Sequence, residues 1–429
     1  MIEIFNIVYL MFGLILVFAS PTLLVIKLNK NKNDNLFFIY SINIILILNI
    51  FLIFSFFKLN LYFIFYFFSF IGFINICFLS KFLNLKKNYF FLIFVLFLLI
   101  LSMKIAVNPR LEWDAAVNWI FKTKNFYDGF NFFNLKNVPG VSAYPHLGNY
   151  GWALFWKNSL INLEYTGRIF YIFIYLASIF LIINKYNLQL FLKIIITFIT
   201  ISITFDHSLF SGYQEPLMFG LIIFIFVLIN KANSSDKLNI FHIICILNAN
   251  LILWVKNEGF IFLLIILTLI LIKKNTDKKI KVLFILSFAL LILAKFSIFN
   301  LHFNENLIGW KGYEFLSFER NFSLETLQRL PELLYQLIVV FFKYPIYLIF
   351  VLLFFYTSII KKKERGYVPF FSFFLLNCLL SVAIFYFTTD PKWKFHASVG
   401  MDRILYSTSG VYLIYILNIL VEYFLLKKK

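Results

Sequence analysis

Long apolar runs recur along the chain, and they constrain its fold more than any other feature of the sequence. The segments 88–107 and 368–388 are two examples. A helix rises about 1.5 Å per residue, so about 20 residues cross the roughly 30 Å of a bilayer's hydrocarbon core. The chain is 62% hydrophobic and 14% charged, whereas a soluble globular domain is about 45–50% apolar. The sequence therefore predicts an all-α, polytopic membrane protein.

Charged breaks between the apolar runs predict a bundle of about thirteen transmembrane helices. Several of the runs are short and would need tilt or help from neighbouring helices to span a bilayer. The first run lacks a basic segment before it, which favours a retained helix over a cleaved signal peptide. The predicted helices cover residues 4–26, 36–57, 61–80, 89–107, 168–184, 188–205, 216–230, 240–255, 259–272, 282–299, 336–359, 368–388 and 404–424.

The basic residues indicate the orientation of this bundle. Lysine-rich segments such as 27–32, 81–87, 273–281 and 361–365 all fall in gaps on the same side of the predicted membrane. The positive-inside rule makes that side cytoplasmic, so we expect the N-terminus outside and the C-terminus in the cytoplasm. A net charge of +19 would suggest a nucleic-acid partner in a soluble protein. Here the charge marks a membrane face, and we expect no nucleic acid.

The outer side carries the long and chemically varied connections, mainly residues 108–167 and 300–335. Loops of this length are usually functional, so we expect the active face to be extracytoplasmic. Residues 115–126 have helical spacing and predict a helix in the membrane interface, with aromatic residues in lipid and lysines reaching outward. Residues 152–156 predict a second interfacial helix. Ser323 predicts the start of a short helix in the second loop.

Two carboxylates, Glu112 and Asp114, follow the apolar run 89–107 on the outer side. Carboxylates at the mouth of a hydrophobic helix are costly to desolvate and are therefore functional candidates. Asp114 is a candidate general base, since an ionised carboxylate can take the proton of an acceptor hydroxyl or amine. The alternative is an ordinary solvated loop acid. Glu112 would share a face with Asp114 only in an extended segment, so we interpret it as a supporting or exposed acid.

Other outer segments carry further candidates, each with an alternative structural role. Asp206 and Glu215 are either functional acids or caps that stabilise helix ends. Lys256 either holds a phosphate or neutralises Glu258 two residues away. Arg403, in the polar stretch 389–403, either grips a phosphate with its planar guanidinium or anchors the last helix in the interface.

The chemistry of these groups favours one reaction class. Basic residues that hold a phosphate, beside carboxylates that activate a nucleophile, indicate group transfer from a lipid-linked phosphate. A soluble nucleotide donor is disfavoured, because the chain has no glycine-rich phosphate loop. His146, His207 and His396 lack the spacing of metal ligands, so we expect neither a metal nor another cofactor.

At these residues the chain resembles the GT-C superfamily of membrane glycosyltransferases, especially bacterial relatives of the protein mannosyltransferases and of the lipid A aminoarabinose transferase. Glu112-Trp113-Asp114-Ala115 resembles the family's first outer loop, and Tyr144-Pro145-His146-Leu147 resembles its Tyr-Pro-Pro-Leu turn. Gly212-Tyr213-Gln214-Glu215-Pro216-Leu217 is similar to a Gly-Tyr-Ala-Asp-Pro-Leu pattern, and Lys256-Asn257-Glu258-Gly259 matches a recurrent Lys-Asn-Glu-Gly. The segment from Phe395-His396 to Asp402-Arg403 is similar to a motif of uncharacterised members, with Phe395 in place of Trp.

The resemblance spans residues 89–424. It implies a catalytic transmembrane domain at 89–429, preceded by a three-helix extension at 1–88, in the inner membrane of a bacterium. It also implies an inverting glycosyltransferase that moves a sugar from a polyprenyl-phosphate-linked donor to an extracytoplasmic glycan, lipid or envelope acceptor. The partners would then be the lipid-linked donor, the glycan or lipid acceptor and membrane lipids. A cell-surface glycan polymerase or ligase, and a lipid-linked glycan flippase, are the alternative functions.

The site that follows from these predictions has one base and several binding residues. Asp114 would be the base, and Lys256 and Arg403 would hold the donor phosphate. We expect Asp114, Glu215, Lys256 and Arg403 to converge around one outer cavity that opens sideways to lipid. The other predicted site residues would shape the sugar and acceptor pocket: Glu112, Tyr144, His146, Asp206, Tyr213, Glu258, His396 and Asp402.

Overall fold

The computed structural model describes most of the chain, and the described part consists of helices and their connections without a β-sheet. This confirms the all-α prediction. The described residues are 2–28, 35–80, 89–139, 144–232, 238–272, 277–303, 323–360, 368–388 and 391–421.

The helices follow the predicted apolar runs closely. Up to residue 204 they are α1 (Ile2–Ala19), α2 (Thr22–Leu28), α3 (Leu36–Phe54), α4 (Leu61–Ser80), α5 (Tyr89–Val107), α6 (Ile120–Tyr127), α7 (Leu147–Lys157), α8 (Ile169–Asn184) and α9 (Leu190–Thr204). After residue 204 they are α10 (Glu215–Ala232), α11 (Ile240–Val255), α12 (Gly259–Ile272), α13 (Lys278–Phe303), α14 (Leu324–Leu327), α15 (Arg329–Lys343), α16 (Pro345–Phe355), α17 (Val368–Tyr386) and α18 (Trp393–Leu420). Short π or 3₁₀ turns occupy Ala115–Trp119, Phe132–Asn137, Glu164–Arg168, His207–Phe210 and Tyr356–Ile360.

Among the described residues, 8 helices are long and apolar enough to cross a membrane, or 9 if one bent pair counts as a span. The protein therefore has the helices of a membrane protein. The shorter apolar helices α9, α11, α12 and the apolar part of α17 lie where further spans were predicted. Thirteen crossings, the membrane type and the orientation stay predictions. Most of the lysines on which the orientation depends lie outside the described residues.

Helix α8 is the centre of the bundle. The segment Glu164–Asn184 is completely buried in its most apolar window, and α8 packs against α3, α5, α9 and α10. Phe173 on this helix stacks on Phe18 of α1 with 5.1 Å between ring centroids. Helix α10 lies beside α8 and also packs against α11 and α18. Helix α10 is therefore enclosed by α8, α11 and α18.

The predicted helix 336–359 is wrong as a single element. Instead, the segments Leu324–Lys343 and Pro345–Ser358 meet at an angle of 92°. Pro345 occupies the first turn of α16. A proline lacks the backbone N–H and disfavours a helical conformation in the residue before it, so it ends one helix and starts another. The apolar run alone conceals this break.

The last helix also begins earlier than predicted. We expected an outer loop over 389–403 and a helix from 404, whereas α18 starts at Trp393. Residues 389 and 390 lie outside the described part. The added turns contain Ala397, Met401 and Arg403, which are good helix formers. Arg403 consequently lies within a helix, three turns from its start, rather than at the helix entrance.

The first outer loop is helical where predicted, but it is more buried. Lys122 was expected to reach outward, yet its side chain is buried and donates a hydrogen bond to the Tyr144 carbonyl oxygen at 2.7 Å. The carbonyl and the rings of Trp119 and Tyr144 offset the loss of water around the ammonium. Lys124 is exposed, as predicted.

Helix α7, expected to lie in the interface, is instead packed inside the protein. It contacts α3, α4, α6 and α8, and Trp152 on it is fully buried. Its aromatic residues are apolar enough for either environment, so composition could not separate the two. In the second loop, Ser323 does cap a short helix, because its side chain accepts a hydrogen bond from the Thr326 backbone N–H at 3.3 Å.

Candidate active site at the start of helix α10

A cavity of about 590 Å³ lies at the N-terminal end of α10. Its walls come from the first outer loop, the 208–213 turn, the α11–α12 turn, the α15–α16 bend, the end of α17 and the first turns of α18. Most of the predicted site residues line it: Glu112, Asp114, Tyr144, Tyr213, Lys256, Glu258, His396, Asp402 and Arg403.

Glu215 is the fully buried carboxylate at the centre of the site. Its Oε1 accepts hydrogen bonds from Arg403 Nε at 2.7 Å and from Lys256 Nζ at 3.0 Å. A buried carboxylate is stable only when it is paired and hydrogen-bonded. Its Oε2 has no hydrogen-bond partner among the described residues. Glu215 therefore joins two cations that come from different elements, the α11–α12 turn and α18.

Arg403 links Glu215 to Asp114. Its Nη1 donates a hydrogen bond to Asp114 Oδ2, and its guanidinium lies over the Tyr213 ring at 3.9 Å from the centroid. A planar guanidinium can stack on an aromatic face while the N–H groups along its edge make hydrogen bonds in the same plane. Burial raises the pKa of the Tyr213 phenol. Tyr213 is thus a neutral platform that fixes the plane of Arg403.

Lys256 pairs with a second carboxylate as well. Its Nζ lies 3.4 Å from Glu258 Oε1. Burial lowers the pKa of the Lys256 ammonium, but Glu215 and Glu258 overcome this, and the net shift is upward. The α11–α12 turn that carries Lys256 and Glu258 needs Gly259, because a Cβ at this position would lie 2.1 Å from the Ile252 carbonyl oxygen. The alternative in which Lys256 and Glu258 neutralise each other is thus part of the structure, and Glu215 is a further partner.

The four residues expected to converge around the cavity do meet in one network, but Glu215 lies behind the cavity wall rather than on it. Asp114, Arg403, Glu215 and Lys256 form one continuous chain of ion pairs. The Asp114 side chain is 29% exposed and lines the cavity. Glu112 lies at the exposed rim, and its backbone N–H donates to the Ser211 carbonyl oxygen at 3.2 Å. Asp114 has helical backbone angles, so the extended geometry required for a carboxylate dyad is absent from this pair.

Lys343, Asp402 and Asp206 form a second ionic group beside the cavity. Lys343 Nζ lies 2.5 Å from Asp402 Oδ2 and 4.0 Å from Asp206 Oδ2. The Tyr344 hydroxyl donates to Asp206 Oδ2 at 3.0 Å. Lys343 was missed by sequence reasoning, because the prediction placed it inside a single helix. The signal was Lys343-Tyr344-Pro345, a charged residue two positions before a proline within an apolar run.

His146 does not belong with the cavity residues, so its predicted pocket role needs correction. It is fully buried and packs against the aromatic rings of Phe126, Phe132 and Trp254. Its Nε2 lies 2.6 Å from Ser55 Oγ. Burial, followed by the charges of Lys122 and Lys295, holds the pKa of His146 well below its usual value. A neutral histidine here joins the first outer loop to α3.

Asp206 acts partly as a cap, the alternative role considered for it. Its Oδ1 accepts hydrogen bonds from the Ser208 backbone N–H at 3.0 Å and the Ser208 hydroxyl at 2.8 Å. The following turn contains Gly212 with φ of +100°, where a Cβ would lie 2.7 Å from Ala115 Cβ and 2.9 Å from Leu111 Cδ2. A glycine is needed at this position, and it lets the 208–213 turn contact the loop that carries Asp114.

Arg168 is a positioning residue that sequence reasoning also missed. It is fully buried, and it donates hydrogen bonds to the carbonyl oxygens of Pro109 at 2.5 Å and Arg110 at 3.5 Å. Its Nε lies 3.1 Å from Glu164 Oε1. Arg168 therefore fixes the backbone just before Asp114. An arginine at the start of an apolar run is typical of an interfacial anchor, so its place in the sequence does not indicate this role.

The arrangement supplies a half-accessible carboxylate and a set of cations around a cavity large enough for a sugar-sized substrate. In the described part of the chain, His, Cys, Asp and Glu side chains form no group of three that could hold a metal ion. Comparisons with protein families, with curated proteins and with solved structures find no match for the chain. The GT-C resemblance therefore stays a prediction carried by short motifs.

Proposed function

We propose that the protein is a membrane glycosyltransferase that moves a sugar from a polyprenyl-phosphate-linked donor to a glycan, lipid or envelope acceptor outside the cytoplasmic membrane. The observation that carries this proposal is the cavity wall on which Asp114 lies beside Arg403 and Lys256, two cations that buried Glu215 joins from behind. It combines a carboxylate that can take a proton with a positively charged cavity that suits a phosphate-bearing donor.

Asp114 is the base in this proposal. The acceptor oxygen or nitrogen attacks the anomeric carbon of the donor sugar, and its proton passes to Asp114. The bond between that carbon and the phosphate oxygen breaks, and the polyprenyl phosphate leaves with the electron pair. Attack from the face opposite the leaving group inverts the configuration. A base must lie within hydrogen-bond reach of the proton it takes, which fits a side chain on the cavity wall.

The ion pair between Arg403 and Asp114 supports this assignment. Arg403 contacts the Asp114 carboxylate directly and so fixes its orientation at the cavity wall. Arg403 is itself held by Glu215 and by the Tyr213 ring, so its position is fixed before any substrate enters. Preorganised charges of this kind require no rearrangement during the reaction.

The test compares cell-envelope glycans by mass spectrometry in the source strain, in a strain lacking this gene, and in the deleted strain complemented with variants. The wild-type gene should restore every sugar-bearing species that the deletion removes. Asp114→Asn should restore none of them, since the amide cannot take the proton. Asp128→Asn is the matched control: it makes the same change at an exposed acid that follows α6 and does not line this cavity, and it should restore the product.

The result that contradicts the proposal is full restoration by Asp114→Asn while the protein is present in the membrane at the wild-type level. A flippase would give that result and would also leave lipid-linked glycan accumulated in the deleted strain. A polymerase or ligase would change the length or attachment of a polymer without changing which sugars it contains.

A further inference from the structure

The cations that line the cavity differ sharply in their accessibility. The side chains of Lys256 and Arg403 are 6% and 12% exposed, while that of Lys343 is 46% exposed. Each of these three cations contacts two carboxylates, so the number of ion pairs does not distinguish them. Lys343 differs in its exposure: an entering anion can reach its half-exposed side chain, whereas Lys256 and Arg403 are buried together with their partners. Our expectation that Lys256 and Arg403 hold the phosphate directly is therefore disfavoured.

Lys343 also lies where the apolar outer surface of the protein meets the charged cavity. It is the last residue of α15, at the 92° bend to α16. Helix α15 is amphipathic, with Leu334, Ile338 and Phe342 on its exposed face, and Phe342 is 71% exposed. An amphipathic helix that meets the following apolar helix nearly at right angles has the geometry of a helix in the membrane interface.

The cavity itself has an apolar wall near this point. Ile384 and Phe385 of α17, together with Phe395 and Val399 of α18, line it beside Lys343 and Asp402. Phe395 and Val399 are exposed. A ligand bound here would therefore place a charged group at Lys343 and an apolar group against these side chains. An isoprenoid phosphate has this combination, whereas free inorganic phosphate lacks the apolar part.

We propose that Lys343 binds the phosphate of a polyprenyl-phosphate lipid at the lipid side of the cavity, and that Arg403 and Lys256 position Glu215 and Asp114. This rests on the proposed function and deepens it, because it assigns the donor's phosphate to a different residue. An ammonium on a flexible stem is a suitable point charge for a phosphate. Sugar attached to that phosphate would extend toward Asp114, on the same cavity wall.

Asp402 gives the proposal a distinctive consequence. Its Oδ2 accepts a hydrogen bond from Lys343 at 2.5 Å, while its Oδ1 has no hydrogen-bond partner among the described residues. A bound phosphate has to compete with this carboxylate for Lys343, and the two anions repel each other. Removing the charge of Asp402 should therefore strengthen phosphate binding, whereas removing that of Lys343 should weaken it.

The experiment measures binding of geranylgeranyl phosphate to the full-length protein in phosphatidylcholine nanodiscs. Lys343→Ala should raise the Kd about 10-fold or more, the usual effect of losing one charge-assisted hydrogen bond. Lys343→Arg should keep most of the affinity, and Asp402→Asn should lower the Kd severalfold. Lys394→Ala is the matched control, because Lys394 is an exposed lysine on the same helix as Asp402. Its Nζ lies 3.2 Å from Glu332 Oε2, so it is also ion-paired. The Kd of this variant should equal that of the wild type.

Geranylgeraniol and inorganic phosphate serve as the comparison ligands. Both should bind at least 10-fold more weakly than geranylgeranyl phosphate. Equal binding of inorganic phosphate would overturn the lipid assignment, and an unchanged Kd in Lys343→Ala would overturn the role of Lys343. Weaker binding of geranylgeranyl phosphate to Asp402→Asn would also overturn the role of Lys343. The Asp402→Asn result therefore tests that role even if Lys343→Ala does not fold. These results are independent of the Asp114→Asn glycan assay, so failure of one proposal is distinguishable from failure of the other.

Discussion

Arg403 and Glu215 form a buried ion pair across 188 positions of sequence, with 2.7 Å between Arg403 Nε and Glu215 Oε1. The pair joins the start of α10 to α18, and Lys256 binds the same carboxylate oxygen from the α11–α12 turn. One side chain thus holds three elements of the cavity wall together. Its loss would leave two buried cations with fewer partners.

Glu215→Gln should therefore destabilise the protein strongly. An amide keeps the shape but not the charge, and breaking a buried ion pair by removing one partner costs about 3–5 kcal/mol. The measurement is the thermal unfolding midpoint of the detergent-solubilised protein, followed by circular dichroism. Glu325→Gln is the control, since Glu325 is an exposed acid in the first turn of a short helix. Equal midpoints for Glu215→Gln and Glu325→Gln would contradict the assigned role of Glu215.

Helix positions could be predicted from sequence because they depend on local information. Each predicted apolar run contains a helix in the described structure, since a run of apolar residues has few other stable forms in a bilayer. The errors have two causes. Pro345 breaks one predicted helix within an apolar run, and residues 393–403 extend another helix although their polar side chains favoured a loop.

The site was only partly predictable for a different reason. Lys256 and Glu258 are neighbours in sequence, so their pairing could be considered in advance. The partners of Arg403, in contrast, are 188 and 289 positions away, and nothing in the local sequence specifies which carboxylate each cation meets. His146 shows the opposite error: a polar residue in a motif-like turn packs into an aromatic cluster.

Gly212→Ala should destabilise the protein more than the same change at Gly129. Both glycines have positive φ, +100° and +87°, so alanine is strained at either site. At Gly212 the new Cβ would also collide with Ala115 and Leu111, whereas at Gly129 nothing lies within 4 Å. We expect a loss of about 1 kcal/mol at Gly129 and of about 2–4 kcal/mol at Gly212. Thermal unfolding in detergent compares the two, and an equal loss would show that the collision is relieved at no cost.

His146 should make stability fall at acidic pH. Its folded-state pKa lies well below the value of about 6.5 in an unfolded chain, so the unfolded chain binds more protons in that range. The contribution of His146 to stability is then constant above pH 6.5 and decreases by about 1.4 kcal/mol per pH unit below it, until the folded pKa is reached. His146→Gln removes this dependence. The measurement is the difference in unfolding free energy between pH 7.5 and pH 5.5, and an equal difference in wild type and variant would contradict the prediction.

Arg168→Lys should lower activity more than it lowers stability. Lysine keeps a positive charge beside Glu164, whose Oε1 lies 3.1 Å from Arg168 Nε. A single ammonium, however, cannot reach both carbonyl oxygens that the arginine contacts, those of Pro109 and Arg110. The backbone before Asp114 then loses part of its anchor. A displacement of about 1 Å in a reacting group can cost about 100-fold in rate, so we expect transfer to fall by 10-fold or more.

Glycan mass spectrometry of the complemented strain gives the activity, and thermal unfolding gives the stability. Lys157→Arg, at the end of α7 with its ammonium over the Tyr127 ring, is a control that should leave both unchanged. Full activity in Arg168→Lys would show that the position of Asp114 does not depend on the two carbonyl contacts.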